Sequence, residues 1–260
     1  MPDSDIDLAT ELDLARSLAD AADVITMRHY RSTGLVVETK ADRTEVTIAD
    51  RDSEHAIRQL LAQHRPSHGI LGEEHGISDP NATFRWIIDP IDGTSNYVRG
   101  VPVWATLIAL EANGVMVVGV VSCPALGKRW WAAKGLGAFA DGRPIRVSSV
   151  ASLEDAFLSY SEGPWADRDM RGGIDALRSL VARERAFGDF WQHMLVAEGA
   201  IDVAAEAIVS LWDLAAIQVI VEEAGGTFTD LAGEARAAGG SALSTNSLLH
   251  LPALAVLRAS

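Results

Sequence analysis

The 260-residue sequence predicts an α+β fold in two lobes, and three features predict it. A long helical pattern opens the chain, a strand-rich stretch follows, and from about Ser152 strands alternate with helices. A chain this long can bury a core without disulfide staples. The expected division is an N-terminal α+β lobe over residues 1–150 and a C-terminal α/β lobe over 151–260.

The opening helix is expected from about Ile6 to Tyr30, because Leu8, Leu12, Ala15, Ala19 and Ala22 recur at three- and four-residue spacing. Ser4 is a candidate cap. Leu35-Val36-Val37 reads as a short strand, and a second helix as Thr47 to Gln63, with Pro66 beyond its end. Gly69–Gly72 and Phe84–Asp89 are short apolar strands; Val103–Glu111, Val115–Cys123 and Lys128–Ala133 are longer ones. Asp141-Gly142, between Gly137–Phe139 and Ile145–Val147, signals a hairpin. Beyond it come a strand at Ala156–Tyr160, a helix at about Asp167–Arg183 and a strand at Arg185–Phe187. A helix at Phe190–Glu198, a strand at Ile201–Ala204 and a helix at Leu211–Glu223, stopped by Gly225-Gly226, complete the reading.

Hydrophobic residues at 48% and charged residues at 22% exclude disorder. Lys+Arg 22 against Asp+Glu 36 gives a net charge of −14, which repels a phosphate backbone, so no nucleic-acid partner is expected. The longest uncharged stretch, Ala112–Gly127, holds Asn113, Ser122 and Pro124 and falls short of a membrane span. Met1-Pro2-Asp3-Ser4-Asp5 has the wrong sign for a signal peptide. A soluble, cytoplasmic protein is expected. Cys123 is the lone cysteine, which leaves no disulfide framework and no cysteine metal site.

Acidic residues stand at three places where an acid is locally expensive. In Trp86-Ile87-Ile88-Asp89-Pro90-Ile91-Asp92-Gly93-Thr94 a buried-type strand ends in an aspartate, Pro90 blocks the ladder, and a second aspartate follows. Gly93-Thr94-Ser95-Asn96 then offers successive amides suited to a phosphate. Gly72-Glu73-Glu74 lies just past an apolar strand, and Asp213 stands in the first turn of an apolar helix. Singly, each fits a turn residue or a helix cap. Together they make an oxygen-rich set that favours Mg²⁺ or Mn²⁺ over Zn²⁺.

These motifs resemble the inositol monophosphatase family. Asp89-Pro90-Ile91-Asp92-Gly93-Thr94 is similar to its first signature and Trp212-Asp213-Leu214-Ala215-Ala216 to its second. Gly72-Glu73-Glu74, and Lys40-Ala41-Asp42 through Val46-Thr47-Ile48-Ala49-Asp50, match its earlier motifs in order; Glu222-Glu223-Ala224-Gly225-Gly226 fits its later glycine turn. The resemblance runs from about Lys40 to Asn246. It implies a layered αβαβα sandwich, commonly a homodimer, that hydrolyses a small phosphate monoester with two or three Mg²⁺ ions. By the same resemblance, Glu73, Asp89 and the Ile91 carbonyl hold one ion, Asp89, Asp92 and Asp213 a second, and Glu73 a third through waters. Thr94, paired with Asp50, orients and helps deprotonate the attacking water, and the amides of Gly93 and Thr94 hold phosphate oxygens.

Substrate choice lies outside that metal set. Glu206, seven residues before Asp213, stands where the family places a carboxylate on the substrate's alcohol portion. Gly100–Ala105, Arg129–Ala133, Phe187–Phe190 and Leu195–Ala200 look most like the histidinol-phosphatases of the family. Their substrate carries an ammonium and an imidazole, which Asp189 facing Glu206 would pair. Asp189 fits equally well as the N-cap of a helix starting at Phe190. Two departures bear on pocket shape: Ser95 replaces an expected lysine, and Ser161-Glu162-Gly163-Pro164 interrupts a serine-rich segment. An inositol-1-phosphatase, a broad sugar-phosphate phosphatase and a non-catalytic binding protein remain open alternatives.

Other signals read as structural. The glycine pattern Gly135–Ala140 precedes a hairpin rather than a helix, so it lacks a phosphate cradle. Pro66 separates His64 from His68, adjacent Trp130 and Trp131 face opposite ways on a strand, Cys123 reads as a packed thiol, and His193, which could face the pocket, reads rather as a packed or solvated histidine.

Overall fold

The first helix, α1 (Leu8–His29), is capped by Asp7, whose carboxylate accepts the Ala9 amide at 3.2 Å. The computed structural model describes residues 6–40, 44–161, 165 and 170–259, so the expected cap Ser4 lies outside the described residues. Strands β1 (Val37–Thr39) and β2 (Glu45–Thr47) form a two-stranded ribbon, β1 starting where the expected strand at Leu35–Val37 ends. In α2 (Ile48–His64) the cap is reciprocal: the Thr47 amide donates to Asp50 at 2.8 Å while the Thr47 hydroxyl caps the helix.

A strand-rich run follows: β3 (Gly69–Gly72), β4 (Gly76–Ser78), β5 (Phe84–Asp92), α3 (Thr94–Arg99), β6 (Ala105–Ala112), β7 (Val115–Cys123), β8 (Lys128–Ala133), β9 (Gly137–Ala140) and β10 (Arg143–Pro144). Its strands make an eight-stranded sheet ordered β10-β9-β8-β7-β6-β5-β3-β4, antiparallel except where β3 runs parallel to β5. The expected hairpin forms, but its return strand is Arg143–Pro144 rather than Ile145–Val147. The chain leaves the sheet there because the Val147 amide is drawn 3.0 Å from the Ala224 carbonyl.

The remainder comprises β11 (Phe157–Tyr160), α4 (Arg171–Leu180), β12 (Arg183–Arg185), α5 (Asp189–Ala197), β13 (Val203–Glu206), α6 (Leu211–Glu223), β14 (Thr227–Thr229), β15 (Ala242–Thr245) and α7 (His250–Leu257). A second sheet is ordered β12-β11-β13-β15-β14, and β11 pairs parallel with both β12 and β13, as helical crossovers require. The expected helix Asp167–Arg183 is shorter: Asp167 lies outside the described residues, and Arg183 pairs with Phe157 in the sheet. The two following strands are displaced from Arg185–Phe187 and Ile201–Ala204 to Arg183–Arg185 and Val203–Glu206.

Alternation in the central strands assigns the layers. Trp86, Ile88, Ile108, Leu110, Val118 and Val120 face Leu12, Leu18, Ile57 and Leu61 of α1 and α2. The intervening Ile87, Leu107, Ala109 and Val121 face Phe190, Met194 and the apolar residues of α5 and α6. Beyond the second sheet, Leu158, Val203 and Ala205 pack on Ile174, Leu177, Ala253 and Leu257 of α4 and α7. The order is helices, sheet, helices, sheet, helices: the αβαβα sandwich. Because α6 lies in the middle layer it is apolar on nearly every side, with Leu214 to Ile217 and Val219 to Val221 buried.

The signals read as structural are packed. Cys123 is buried, and burial pushes its thiol up to about 11, away from reactivity. His68 accepts the Trp86 indole at 3.1 Å, Trp130 is buried, and the Arg16 guanidinium lies over Trp131. Among the described residues no helix is long and apolar enough to cross a membrane.

At Gly119 of β7 an added Cβ would meet the Ala216 carbonyl oxygen of α6 at 2.4 Å. Gly119→Ala must therefore push back the helix that carries Asp213. The expected cost is about 1–3 kcal/mol, read as a lowered Tm accompanied by weakened divalent-cation binding in calorimetry.

Candidate active site

Asp89 and Asp92 are three residues apart on β5, a spacing that would set them on opposite faces of a regular strand. The register with β6 shifts between the pairs Asp89↔Leu107 and Asp92↔Ala105. This irregularity lets both carboxylates reach one side. The proline does not end the ladder as expected: β5 runs on to Asp92, and the Pro90 carbonyl is satisfied by the Thr106 hydroxyl at 2.8 Å.

Asp213 arrives from the first turn of α6, where it caps the helix by accepting the Ser210 amide at 2.7 Å. One carboxylate oxygen from each of Asp89, Asp92 and Asp213 lies within 4.8 Å of the others. The cap and the cluster are thus the same residue. Glu73, just past β3, lines the same cavity, whose volume is about 710 Å³. The Lys40 ammonium sits 2.7 Å from both Glu73 and Glu74. Behind this turn the fully buried Glu54 accepts the Glu74 amide at 2.8 Å and pairs with Arg58 at 2.7 Å.

Gly93 bridges β5 and α3 with φ +81°, and an added Cβ there would also crowd the Val103 carbonyl at 3.2 Å and Asp189 at 3.3 Å. Thr94 opens α3. Its hydroxyl donates to the Ile91 carbonyl at 2.9 Å, and Asp50 is a longer partner at 3.4 Å. Asp50 itself is fully buried, its second oxygen taking the Thr47 amide and hydroxyl at 2.8 and 2.6 Å.

Asp189 and Glu206 line the same cavity. α5 begins at Asp189 rather than Phe190, with Gly188 as the cap residue, and Asp189 makes no capping hydrogen bond. It sits instead at φ +48° and accepts from Asn96 at 3.2 Å. The next amide, Phe190, donates to Asp92 at 2.7 Å, so the start of α5 holds Asp189 beside the β5 aspartates. Glu206 ends β13, is only 4% exposed and accepts the Ser161 hydroxyl. Ser95 lies on the cavity wall.

These acids disfavour one another's charge. Burial, then Glu73, Asp92 and Asp213, hold the Asp89 carboxyl well above its ordinary range. Burial, then Asp189 and Asp213, do the same to Asp92. Burial pushes Asp213 up to about 7, and burial followed by Glu206 pushes Asp189 up to about 6. Partial burial works against the Lys40 charge, but the hydrogen bonds to Glu73 and Glu74 outweigh it and raise its pKa. Carboxylates converging with oxygen donors alone fit a hard divalent cation, which would supply the missing positive charge. A larger cavity of about 1010 Å³ is lined by Lys128, Arg143, Arg146 and Glu198 and holds none of these acids.

Residues 7–257 match the sequence model of the inositol monophosphatase family. The chain belongs to that family. Among its relatives, a histidinol-phosphatase of Mycobacterium tuberculosis is 54% identical over 96% of this chain and 98% of its own. One from Streptomyces coelicolor is 48% identical, over 94% and 95%. Among solved structures, the extragenic suppressor protein SuhB of Bartonella henselae superposes with a TM-score of 0.89 at 30% identity, covering 96% of this chain and 99% of that one. An IMPase of Thermotoga maritima gives 0.85 at 32% identity, over 95% and 96%.

The inositol monophosphatase fold thus collects Glu73, Asp89, Ile91, Asp92, Gly93, Thr94, Asp189, Glu206 and Asp213 around one cavity, with Asp50 behind Thr94. The sequence reading assigned no role to Lys40 or Glu54. Lys40 opens a quoted motif, but Ala41 and Asp42 lie outside the described residues. Nothing in local sequence marks Glu54, a helical acid like many on a solvated face.

Cation binding should be linked to pH. Asp50 and Asp213, held near 7 by burial, ionise near 3.9 when unfolded. Between those values the metal-free folded state holds more protons, so these groups contribute stability at low pH that is lost as pH rises through about 7. A bound cation reverses the penalty. The rise in Tm on adding Mg²⁺ should therefore grow from pH 5.5 to pH 8, by roughly several degrees in differential scanning calorimetry. A rise independent of pH would remove Asp213 from the cation site.

Proposed function

We propose that this protein is a Mg²⁺-dependent phosphomonoesterase that hydrolyses L-histidinol phosphate to L-histidinol and phosphate, as in histidine biosynthesis. The observation that carries this reading is one cavity that Asp189 and Glu206 line together with the cluster of Asp89, Asp92 and Asp213. The two histidinol-phosphatase relatives at 54% and 48% identity support the same substrate.

Glu73, Asp89 and the Ile91 carbonyl would hold one cation, Asp89, Asp92 and Asp213 a second, and Glu73 a third through waters. When bound, these ions neutralise the phosphate and stabilise the attacking and leaving oxygens of an in-line displacement. The amides of Gly93 and Thr94, at the turn into α3, hold phosphate oxygens. Thr94 orients the attacking water, whose proton passes by way of its hydroxyl toward Asp50. A carboxyl held near 7 by burial suits a base working at neutral pH. Glu73 assists from the far side of the cavity. The water oxygen bonds to phosphorus, the ester P–O bond breaks, and a proton from a second water reaches the leaving alkoxide.

Asp189 and Glu206 receive the ammonium and imidazole of the alcohol. A cation placed between them relieves the repulsion that raises Asp189. A neutral polyol gives no such relief, which places inositol phosphate second.

Phosphate release from histidinol phosphate and inositol-1-phosphate, side by side, tests the reading. Expected is a kcat/KM preference of roughly 10²-fold or more for histidinol phosphate, abolished by chelator. Preference for inositol phosphate would overturn the substrate and keep the metal chemistry. Asp92→Asn should cut kcat by roughly 10²–10³-fold; unimpaired turnover would refute the ligand assignment. We also propose a homodimer in the cytoplasm, and sedimentation equilibrium should find about twice the 27.8 kDa chain mass.

A further inference from the structure

Behind Glu206 runs a line of buried polar side chains that the phosphate chemistry does not use. Helix α5 turns Gln192 and His193 toward the second sheet, and both are 0% exposed. Gln192 accepts from the Ser159 hydroxyl at 2.8 Å and donates to Ser161 at 3.1 Å. Ser161 in turn donates to Glu206 Oε1. His193 spans the other side: its Nε2 is 3.3 Å from Glu206 Oε2, and its Nδ1 is 2.8 Å from the Ser244 hydroxyl.

The roles in this line follow from donor and acceptor chemistry. A carboxylate only accepts, so His193 presents an N–H at Nε2 to Glu206, and its Nδ1 pairs with the Ser244 hydroxyl. Each Glu206 oxygen then has one donor behind it, Ser161 on Oε1 and His193 on Oε2. The remaining lone pairs face the cavity that Glu206 lines. An apolar side chain would fill the place of His193 without the cost of desolvating two ring nitrogens. A buried polar line satisfied at both ends fixes a geometry rather than merely filling space.

Resting on the proposed hydrolysis of histidinol phosphate, we infer that His193 is a positioning residue: backed by Ser244, it holds the Glu206 carboxylate toward the cavity and so favours a cationic alcohol over a neutral polyol. It touches neither the substrate nor the phosphate. Its loss acts through Glu206 on binding of the alcohol portion and spares the hydrolytic step.

The test compares wild type, His193→Phe, His193→Gln, Ser244→Ala, Glu206→Gln and the Glu206→Gln/His193→Phe double variant at saturating Mg²⁺. KM and kcat are measured separately for histidinol phosphate and glycerol-2-phosphate, with thermal melting alongside. His193→Phe should raise KM for histidinol phosphate about tenfold, with kcat within about threefold of wild type and KM for glycerol-2-phosphate within about twofold. His193→Gln, which keeps an N–H to offer Glu206, should recover most of the loss. The double variant should lose no more than Glu206→Gln alone. Equal changes for both substrates, an effect confined to kcat, or full additivity would overturn the inference. If His193→Phe does not fold, Ser244→Ala decides: a KM increase selective for histidinol phosphate supports the inference, and no selectivity overturns it. The wild-type substrate ratio reads the functional proposal separately, since a preference for the polyol ester would overturn that proposal whatever the variants do.

Discussion

Like charges in a poorly solvated cavity repel, and this chain brings Glu73, Asp89, Asp92 and Asp213 into one. Each is tied down by a different donor. The Ile91 amide holds Asp89 at 2.9 Å, the Phe190 amide holds Asp92 at 2.7 Å, the Ser210 amide holds Asp213 at 2.7 Å, and Lys40 holds Glu73. Three of those donors are backbone groups at element ends, so the carboxylates cannot swing apart to relieve themselves without unmaking local structure. The repulsion appears instead as raised pKa values, a charge deficit that a divalent cation makes good.

The layer order exists, in this light, to hold those element ends together. The first sheet supplies Glu73, Asp89 and Asp92, the middle helices supply Asp213 and Asp189, and the second sheet supplies Glu206. No single layer holds the cavity. Contact between α6 and β7 is close enough that Gly119 has no room for a Cβ, and this close packing keeps Asp213 beside the β5 aspartates. The apolar middle layer, buried against both sheets, holds α5 and α6 between them.

Much of this was legible in the residue order. Apolar runs located the central strands, with Val115–Cys123 and Lys128–Ala133 matching to the residue, because a strand buried on both faces reads as a near-continuous apolar run. The wall at Glu73, Asp89, Asp92 and Asp213 was legible because acids beside apolar runs violate the local pattern. What stayed hidden depends on tertiary partners. Pro90 reads as a stop, yet the Thr106 hydroxyl from the neighbouring strand satisfies its carbonyl and the strand continues. Asp189 reads equally as a pocket carboxylate and as a helix cap, and Asn96 from another element takes its carboxylate. Strands β14 and β15 are short and weakly patterned, and β15 joins the sheet through a long-range pairing with β13 while β14 pairs only with β15. Buried His193 has the sequence signature of any packed histidine; only the position of Ser244, 51 residues away, gives both of its nitrogens a purpose.

The two groups of carboxylates in the cavity are built differently. Asp89, Asp92 and Asp213 are anchored by main-chain amides, so their geometry tolerates change only if the backbone moves. Asp189 and Glu206 are anchored by the side chains of Asn96, Ser161 and His193, which can be exchanged one at a time without moving a strand. The side chains that hold Asp189 and Glu206 can therefore vary while the anchoring of Asp89, Asp92 and Asp213 stays intact. This asymmetry fits a family whose fold persists at 30% identity while the histidinol-phosphatase relatives are found at 54% and 48%.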